Sequence, residues 1–549
     1  MAPTFHSILF DSETHEATVS RATEAGVSET AAAGTSEAAE AGAARAAAAP
    51  STAAVPVSAE VSADAFADLH LDDVVAALSS GRDDDHLGPL FRLPLRTSGA
   101  ITYRHEVFRD LEGPALLDAF RAFGQRMETI RGRLAHATRT TYALDKQRWL
   151  LNAAEAYGAA VLELDRRLVD APLRSRALQA VRDQLAAYAG SDRFTRLMAD
   201  TERMQATVRG VSYRLRISGS KVVVTRSRPE PDYTAEVVET FSKFRQGERS
   251  PYEWRFDDGS DMNHVEAAIL DCVARLHPDV FAQLADYADR HREFLDPGVE
   301  RLDREIRFYL AYLDYIDPMR QAGLPFCLPE VGAAELEGRD VFDLALATGL
   351  VRAGQSVVTN DVELRDGERI ILVTGPNQGG KTTFARTIGQ LGHLARLGVP
   401  VPGSRLHLPI LDRIYTHFER QERVEDLSSK LEDDLRRIHS ILDKATPASL
   451  LVMNESFSST TVQDQLFIGQ AVLRQVIDRG LMCIVVTFLD ELSALDPSIV
   501  SMVSNVDPDD DALRTFRIVR RTPDGLAHAL AIANKHRLTR GAVQERLNR

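Results

Sequence analysis

Between about Pro114 and Asp317 the apolar positions fall three or four residues apart, the period of helices that bury one face. In "VERLDREIRFYLAYLDYI", Val299, Leu302, Ile306, Tyr309, Leu313 and Ile316 keep that spacing. The first such stripe is in "FADLHLDDVVAAL", from Phe66, Leu69, Leu71, Val74, Val75 and Leu78. One passage breaks the period. "VSYRLRISGSKVVVTR" alternates on either side of "SGSK", which predicts a β-hairpin set among helices. After "LPFCLPEVGAAELEGRD" the pattern changes again: "RIILVT", "ASLLVM" and "LMCIVVT" are short continuous apolar runs, and helical stretches follow "GKTT" and "STTVQDQ". Runs of that kind predict a largely parallel sheet covered by helices on both faces.

A chain of 549 residues is too long for one ordinary core. Residues 11–64 are rich in Ala, Ser, Thr and Glu and hold almost no large apolar side chains, so burial cannot offset the entropy of ordering them. The expected division is a disordered low-complexity tail over 1–65, a mainly helical domain with its inserted hairpin over 66–330, and an α/β domain over 331–549. No apolar run approaches the ~18 residues of a bilayer span, so no membrane partner is expected. The N-terminus lacks the pattern of a secretory leader. Cys272, Cys327 and Cys483 are odd in number and far apart, and read as reduced, buried thiols of a cytoplasmic protein. A net charge of −15 argues against coating nucleic acid through the overall field, but leaves room for a local basic patch. The hairpin supplies one, with Arg214, Arg216, Lys221, Arg226 and Arg228 as candidate phosphate-backbone contacts. A solvated strand face is the other reading of the same charges.

The chemistry concentrates in "ILVTGPNQGGKTTFART". Gly375, Gly380, Lys381 and Thr382 fit G-x-x-x-x-G-K-[ST] between an apolar strand and a helix, the setting of a phosphate-binding loop. Glycines let consecutive N–H groups of Gly375, Pro376 to Gly380 and the following Lys381, Thr382 and Thr383 curl around phosphate oxygens, proline excepted, and the new helix adds its positive end. Lys381 then neutralises the β and γ phosphates, and the Thr382 hydroxyl faces Mg²⁺. The expected ligand is a nucleoside triphosphate.

"TGPNQGGKTT" closely resembles the "TGPNMGGKS" form of the MutS family, the DNA mismatch repair ATPases, and Asn377 and Gln378 fall inside that match. The likeness continues through "LGVPVPGSRLHLPILDRIYTHF", "SLLVMNESFSSTTVQDQ", "VTFLDEL" and "DGLAHALAIA", about residues 330–540. The helical region is similar only in pattern to the family's core, lever and clamp. The resemblance implies an α/β P-loop NTPase domain of ABC type behind a helical core and lever, with ATP and Mg²⁺ as ligands and duplex or structured DNA as partner. It also implies a homodimer whose site is completed in trans by a serine loop, for which Ser428 and Ser429 in "EDLSSKLEDDL" are candidates; N-capping is the alternative role for those serines. The family's mismatch sensors carry a further N-terminal domain with a Phe-x-Glu element. Here the low-complexity tail occupies that place.

Two positions depart from the family pattern. An Asp normally precedes the Glu at the end of the second motif strand, whereas this chain has Asn454 before Glu455. Glu455 remains the candidate that orients the attacking water. Asn454 can bond a metal-bound water but brings no negative charge. Phe488 stands where the family has a histidine, and a phenyl ring cannot hydrogen-bond a phosphate. Together they point to slow turnover. Three readings remain: a DNA-associated ATPase, an ATP-bound regulatory switch for protein partners, and an SMC-like ABC ATPase, for which no LSGGQ-like segment is found.

Overall fold

The computed structural model describes residues 6–11, 62–80, 87–219, 221–227, 263–333, 335–420, 430–506, 514–522 and 544. Most of the expected tail, Arg228, Ser428, Ser429 and the "DGLAHALAIA" segment lie outside the described residues. The chain packs as two compact units. Residues 114–172 and 180–303 belong to one; residues 6–113, 173–179 and 304–549 belong to the other. The second unit thus gathers helices from before residue 114 with the α/β region, a different partition from a single boundary near residue 330.

The first unit is helical. Pro114–Arg139 and Ala143–Asp170 pack as neighbours, with Asp192–Arg209 and Pro278–Arg290 against the second of them. Where the core must hold polar atoms they meet each other: the Tyr157 and Tyr188 hydroxyls lie 2.9 Å apart, and Thr201 and Tyr287 2.7 Å. Into this unit is set the expected hairpin, Tyr213–Ser218 antiparallel to Lys221–Arg226, with Ser218 opposite Lys221 beside the turn.

The second unit is built on a six-stranded sheet in the order Ile414–Phe418, Leu450–Asn454, Met482–Val486, Ile370–Thr374, Ile499–Val506, Arg514–Arg520. The first five strands are parallel and the last is antiparallel to its neighbour. The three apolar runs read from sequence are its centre. They are continuous because both faces are covered. On one face Ile438, Leu442, Val472, Leu473 and Val476, from helices Lys430–Lys444 and Val462–Asp478, pack with Ile370, Leu372, Leu451, Met453, Cys483 and Val485. The other face holds helix Lys381–Leu397, almost wholly buried. Its outer side takes the helices between Ala63 and Leu111, so Leu69 lies against Gly389 and Phe66 meets His393 edge to face.

Helix Pro297–Gln321 buries Val299, Leu302, Ile306, Tyr309, Leu313 and Ile316, the stripe that its spacing predicts. Cys483 is buried and Cys327 half-buried, but Cys272 is exposed on helix His264–Leu276, contrary to the expectation that all three are internal. Residues 6–11 fall within the span expected to be disordered, yet Ser7, Ile8 and Leu9 are buried. Among the described residues no helix is long and apolar enough to cross a membrane.

Candidate functional site

Strand Ile370–Thr374 delivers the chain to Gly375, whose φ of 117° only glycine adopts without strain, and Gln378 at 59° and Gly380 at 87° complete the reversal into helix Lys381–Leu397. The turn lies tight on the neighbouring strand. A Cβ on Gly379 would stand 2.2 Å from Ser504 Oγ, and the Ser504 hydroxyl donates to the Gly379 carbonyl at 2.7 Å. Arg514 Nε donates to the Asn377 carbonyl at 3.3 Å. The loop is therefore held through its carbonyls by Ser504 and Arg514, and its residues border a cavity.

That cavity has a volume of about 810 Å³, within the range of small-molecule and cofactor sites. Asn377, Gln378, Gly379, Gly380, Lys381, Thr382 and Thr383 line it, as does Glu455. Leu346, Leu350, Val357, Val358 and Phe516 add apolar surface, Phe516 lying against Gly380, and Asp343, Gln355, Ser356 and Asn360 add polar groups. Phe516 holds a φ of 58°, and the side chain of Asn360 clamps its backbone: Nδ2 donates to the Phe516 carbonyl and Oδ1 accepts from the Ile518 N–H. A cup of glycines, hydroxyls and a lysine bordered by apolar side chains suits a ligand with an anionic part and an apolar part.

Lys381 is 4% exposed. Its ammonium donates to the carbonyls of Gly375 and Pro376, each at 3.0 Å, and lies 4.5 Å from the centroid of the Phe488 ring. Burial pushes it below the ordinary lysine value; Glu455 opposes that shift and Arg514 adds to it. Phe488 is itself half exposed, so its ring belongs to the site and not to the core beneath the strand end.

The Thr382 hydroxyl donates to Asn454 Oδ1 at 2.8 Å. These two side chains, distant in sequence, therefore meet at the floor of the cavity. Two neutral oxygens fit a hard cation held mainly through water and ligand phosphates, which is how Mg²⁺ is commonly bound, though without the charge that an aspartate would add. Glu455 follows in a left-handed conformation, φ 49°, with its N–H on the Val486 carbonyl at 2.9 Å. Backbone strain of this kind persists where neighbours over-determine it.

The residue after Glu455 is fixed by a group that sequence reasoning missed. His417, fully buried, puts Nε2 3.1 Å from the Asp434 carbonyl and Nδ1 2.8 Å from Ser456 Oγ. A carbonyl only accepts, so Nε2 carries the proton and Nδ1 is an acceptor facing the hydroxyl. Burial lowers the imidazole to about 4 and keeps it neutral. Ser504, Phe516 and Asn360 were missed as well. No local motif marks them; only the sheet order brings strands Ile499–Val506 and Arg514–Arg520 beside the turn.

In the other unit, the hairpin register puts Arg214, Arg216 and Lys221 on one face and Arg226 on the opposite one. The Arg226 guanidinium donates to the Leu276 carbonyl at the end of helix His264–Leu276, 2.9 Å from Nε. Of the candidate backbone contacts, Arg226 is thus a helix cap and does not share the basic face.

A model of MutS domain V matches residues 371–545, the segment that forms the phosphate turn, Asn454, Glu455 and Phe488. Similar proteins include an endonuclease MutS2 of Gemmatimonas aurantiaca, 30% identical over 227 residues, and a DNA mismatch repair protein MutS of Thermotoga petrophila, 32% identical over 229. Each match covers 41% of this chain and 27% of the relative. A second MutS2 endonuclease, from Thermus thermophilus, is 32% identical over 180 residues, 32% of this chain and 24% of that protein. The chain thus spans about a quarter of the length of the relatives it matches. Through residues 371–545, the chain is similar to MutS domain V.

Proposed function

We propose that the protein is a DNA-associated ATPase that binds ATP in the turn Gly375–Thr383 and couples binding and slow hydrolysis to engagement of duplex or structured DNA, in repair or recombination. The observation that carries this reading is the cavity: a strand–turn–helix cup with a buried lysine, bordered by apolar side chains.

The free amides of the turn and the N-terminus of helix Lys381–Leu397 take phosphate oxygens, and Lys381 leaves its two carbonyls to neutralise the β and γ phosphates. Thr382 and Asn454 hold Mg²⁺ through oxygen and water; when bound, the ion supplies positive charge along the bridging phosphates. Glu455 orients the attacking water and accepts its proton as the β–γ bond breaks. Phe488 covers the ammonium but donates no hydrogen bond, and Asn454 adds no charge, so both choices slow the chemical step relative to binding. That combination favours a switch that dwells in the ATP-bound state, and the second reading, an ATP-bound regulator of protein partners, rests on the same two residues.

The partner is DNA, gripped in part by Arg214, Arg216 and Lys221, and the working form is a homodimer in which Ser428 or Ser429 reaches the other copy's phosphates. The three cysteines fit a reducing, cytoplasmic setting. The test is a titration of the full chain with homoduplex, mismatched and branched DNA, with and without ATP, at two salt concentrations. ATP-dependent affinity for at least one DNA, falling with salt, supports the proposal. No binding to any DNA, with ATP turnover intact, transfers the function to protein partners.

A further inference from the structure

Residues 6–11, "HSILFD", are separated from the next described residue, Ser62, by 50 positions, yet a run of their main-chain groups is held by side chains. Tyr103 donates its hydroxyl to the Ser7 carbonyl at 2.7 Å, Tyr309 donates to the Ile8 carbonyl, and Arg104 Nε donates to the Leu9 carbonyl at 2.9 Å. The Glu305 carboxylate accepts from the Ser7 hydroxyl at 2.9 Å and from the Ile8 N–H at 2.6 Å. Ser7 Oγ in turn accepts from the N–H groups of Leu9 and Phe10 at 3.1 and 3.0 Å. From the Ser7 carbonyl to the Phe10 N–H, six successive main-chain groups are met by side chains.

A segment laid down within a fold usually takes main-chain partners from a helix or a sheet. Here four of the six partners are side chains of the surrounding surface and two are the segment's own Ser7 hydroxyl, so the segment is a self-closed turn seated in a groove. The apolar contacts agree. Ile8 and Leu9 are 1% exposed, and Phe10 packs with Leu95, Ala100, Ile101 and Val331. The guanidinium of Arg104 lies between the rings of Phe10 and Phe308, 5.1 and 4.9 Å from their centroids. Arg104 also donates to the carbonyl of Leu397 at 2.7 Å, the last residue of the helix that begins at the phosphate turn.

We propose that the groove formed by Tyr103, Arg104, Glu305 and Tyr309 is a peptide-binding site for a Ser-Ile-Leu-Phe turn, that its resident ligand is this chain's own residues 6–11, and that the ligand leaves and rebinds while the unit stays folded. The proposal does not depend on nucleotide binding. Its experiment is a titration of a fluorescein-labelled peptide of residues 3–14 against the full chain and against a chain lacking residues 1–11. Saturable binding to the truncated chain, at least tenfold weaker binding to the full chain whose groove is already filled, and loss of binding by an Ile8→Asp peptide or a Glu305→Gln groove support it. A folded truncated chain that ignores the peptide, equal binding to both chains, or equal binding of the Ile8→Asp peptide overturns it. Should truncation prevent folding, hydrogen exchange of the full chain decides. Amides of Ile8, Leu9 and Phe10 opening together well before those of strand Ile370–Thr374 support a detachable ligand; opening only with global unfolding overturns it.

Discussion

Replacing Gly379 with alanine tests how the phosphate turn is held. The added Cβ would stand 2.2 Å from Ser504 Oγ, 3.1 Å from Ser504 Cβ and 3.0 Å from the Pro376 carbonyl. The hydroxyl must therefore turn away, which breaks its 2.7 Å bond to the Gly379 carbonyl and leaves a fully buried polar group unpaired. Overpacking of this kind costs about 1–3 kcal/mol, and an unpaired buried hydroxyl about 1–3 kcal/mol more. Some of this relaxes, so about 2–4 kcal/mol should divide between two readouts. If the turn keeps its place, thermal unfolding drops; if the turn yields, nucleotide affinity falls, by roughly 30- to 1,000-fold for the same energy. Calorimetric titration with ATP and a thermal melt of the same sample measure both. Ser504→Gly removes the two serine atoms, leaving the Pro376 carbonyl, at its own cost of about 1 kcal/mol. The double variant should therefore recover more than half of the loss, a coupling of at least about 1 kcal/mol. Wild-type melting and binding by Gly379→Ala, or strict additivity with Ser504→Gly, would refute the packing argument.

Three further outcomes are expected. Glu455→Gln should keep ATP binding and cut turnover by about 10²–10⁴-fold in single-turnover assays, whereas Asn454→Asp should speed hydrolysis or lower the magnesium requirement across a titration. Alanine at Arg214, Arg216 and Lys221 together should flatten the salt dependence of DNA binding by up to about 3 in log–log slope, while Arg226→Ala should leave that slope alone and lower thermal stability. His105, His393 and His417 are each lowered to about 4, chiefly by burial. Because the unfolded chain protonates them near 6.5 and the folded chain does not, stability is whole above that pH. It falls as pH drops toward 4, by at most about 4 kcal/mol per pH unit for the three. Asp68 and Asp434, whose carboxyls burial raises, oppose the lower end of that loss. Denaturant melts from pH 7 to 4.5 check the slope, and His417→Gln should reduce it by about a third.

The sheet centre was legible because its strands are buried on both faces, so apolar character is continuous over five residues and needs no phase. Helix Pro297–Gln321 was legible from its period of buried positions, and the hairpin from strict alternation on either side of "SGSK", although both of its faces are exposed. The turn announced itself because close approach to phosphate needs glycines at fixed offsets. What sequence hid depends on distant packing. Helices Ala63–Asp68 to Ser98–Leu111 read as part of a helical domain, but their stripes cover helix Lys381–Leu397. "HSILFD" looked like the start of a tail since its partners, Arg104, Glu305 and Tyr309, lie about 95 to 300 positions away. Arg226 differs from Arg214 and Arg216 only in register, which charge counting does not read. That the Phe488 ring lies over the Lys381 ammonium is set by packing that sequence does not show.

The central claim is that a coil of amides around Gly375–Thr383, closed by Lys381, captures a triphosphate. Isothermal titration of the full chain with ATP, with and without magnesium and beside a folded Lys381→Met variant, tests it most directly. Saturable one-site binding in the micromolar range, weakened at least a hundredfold by the substitution, is the predicted result. A well-folded chain that releases no heat with ATP under either condition, or that binds equally well without the Lys381 ammonium, would contradict the account.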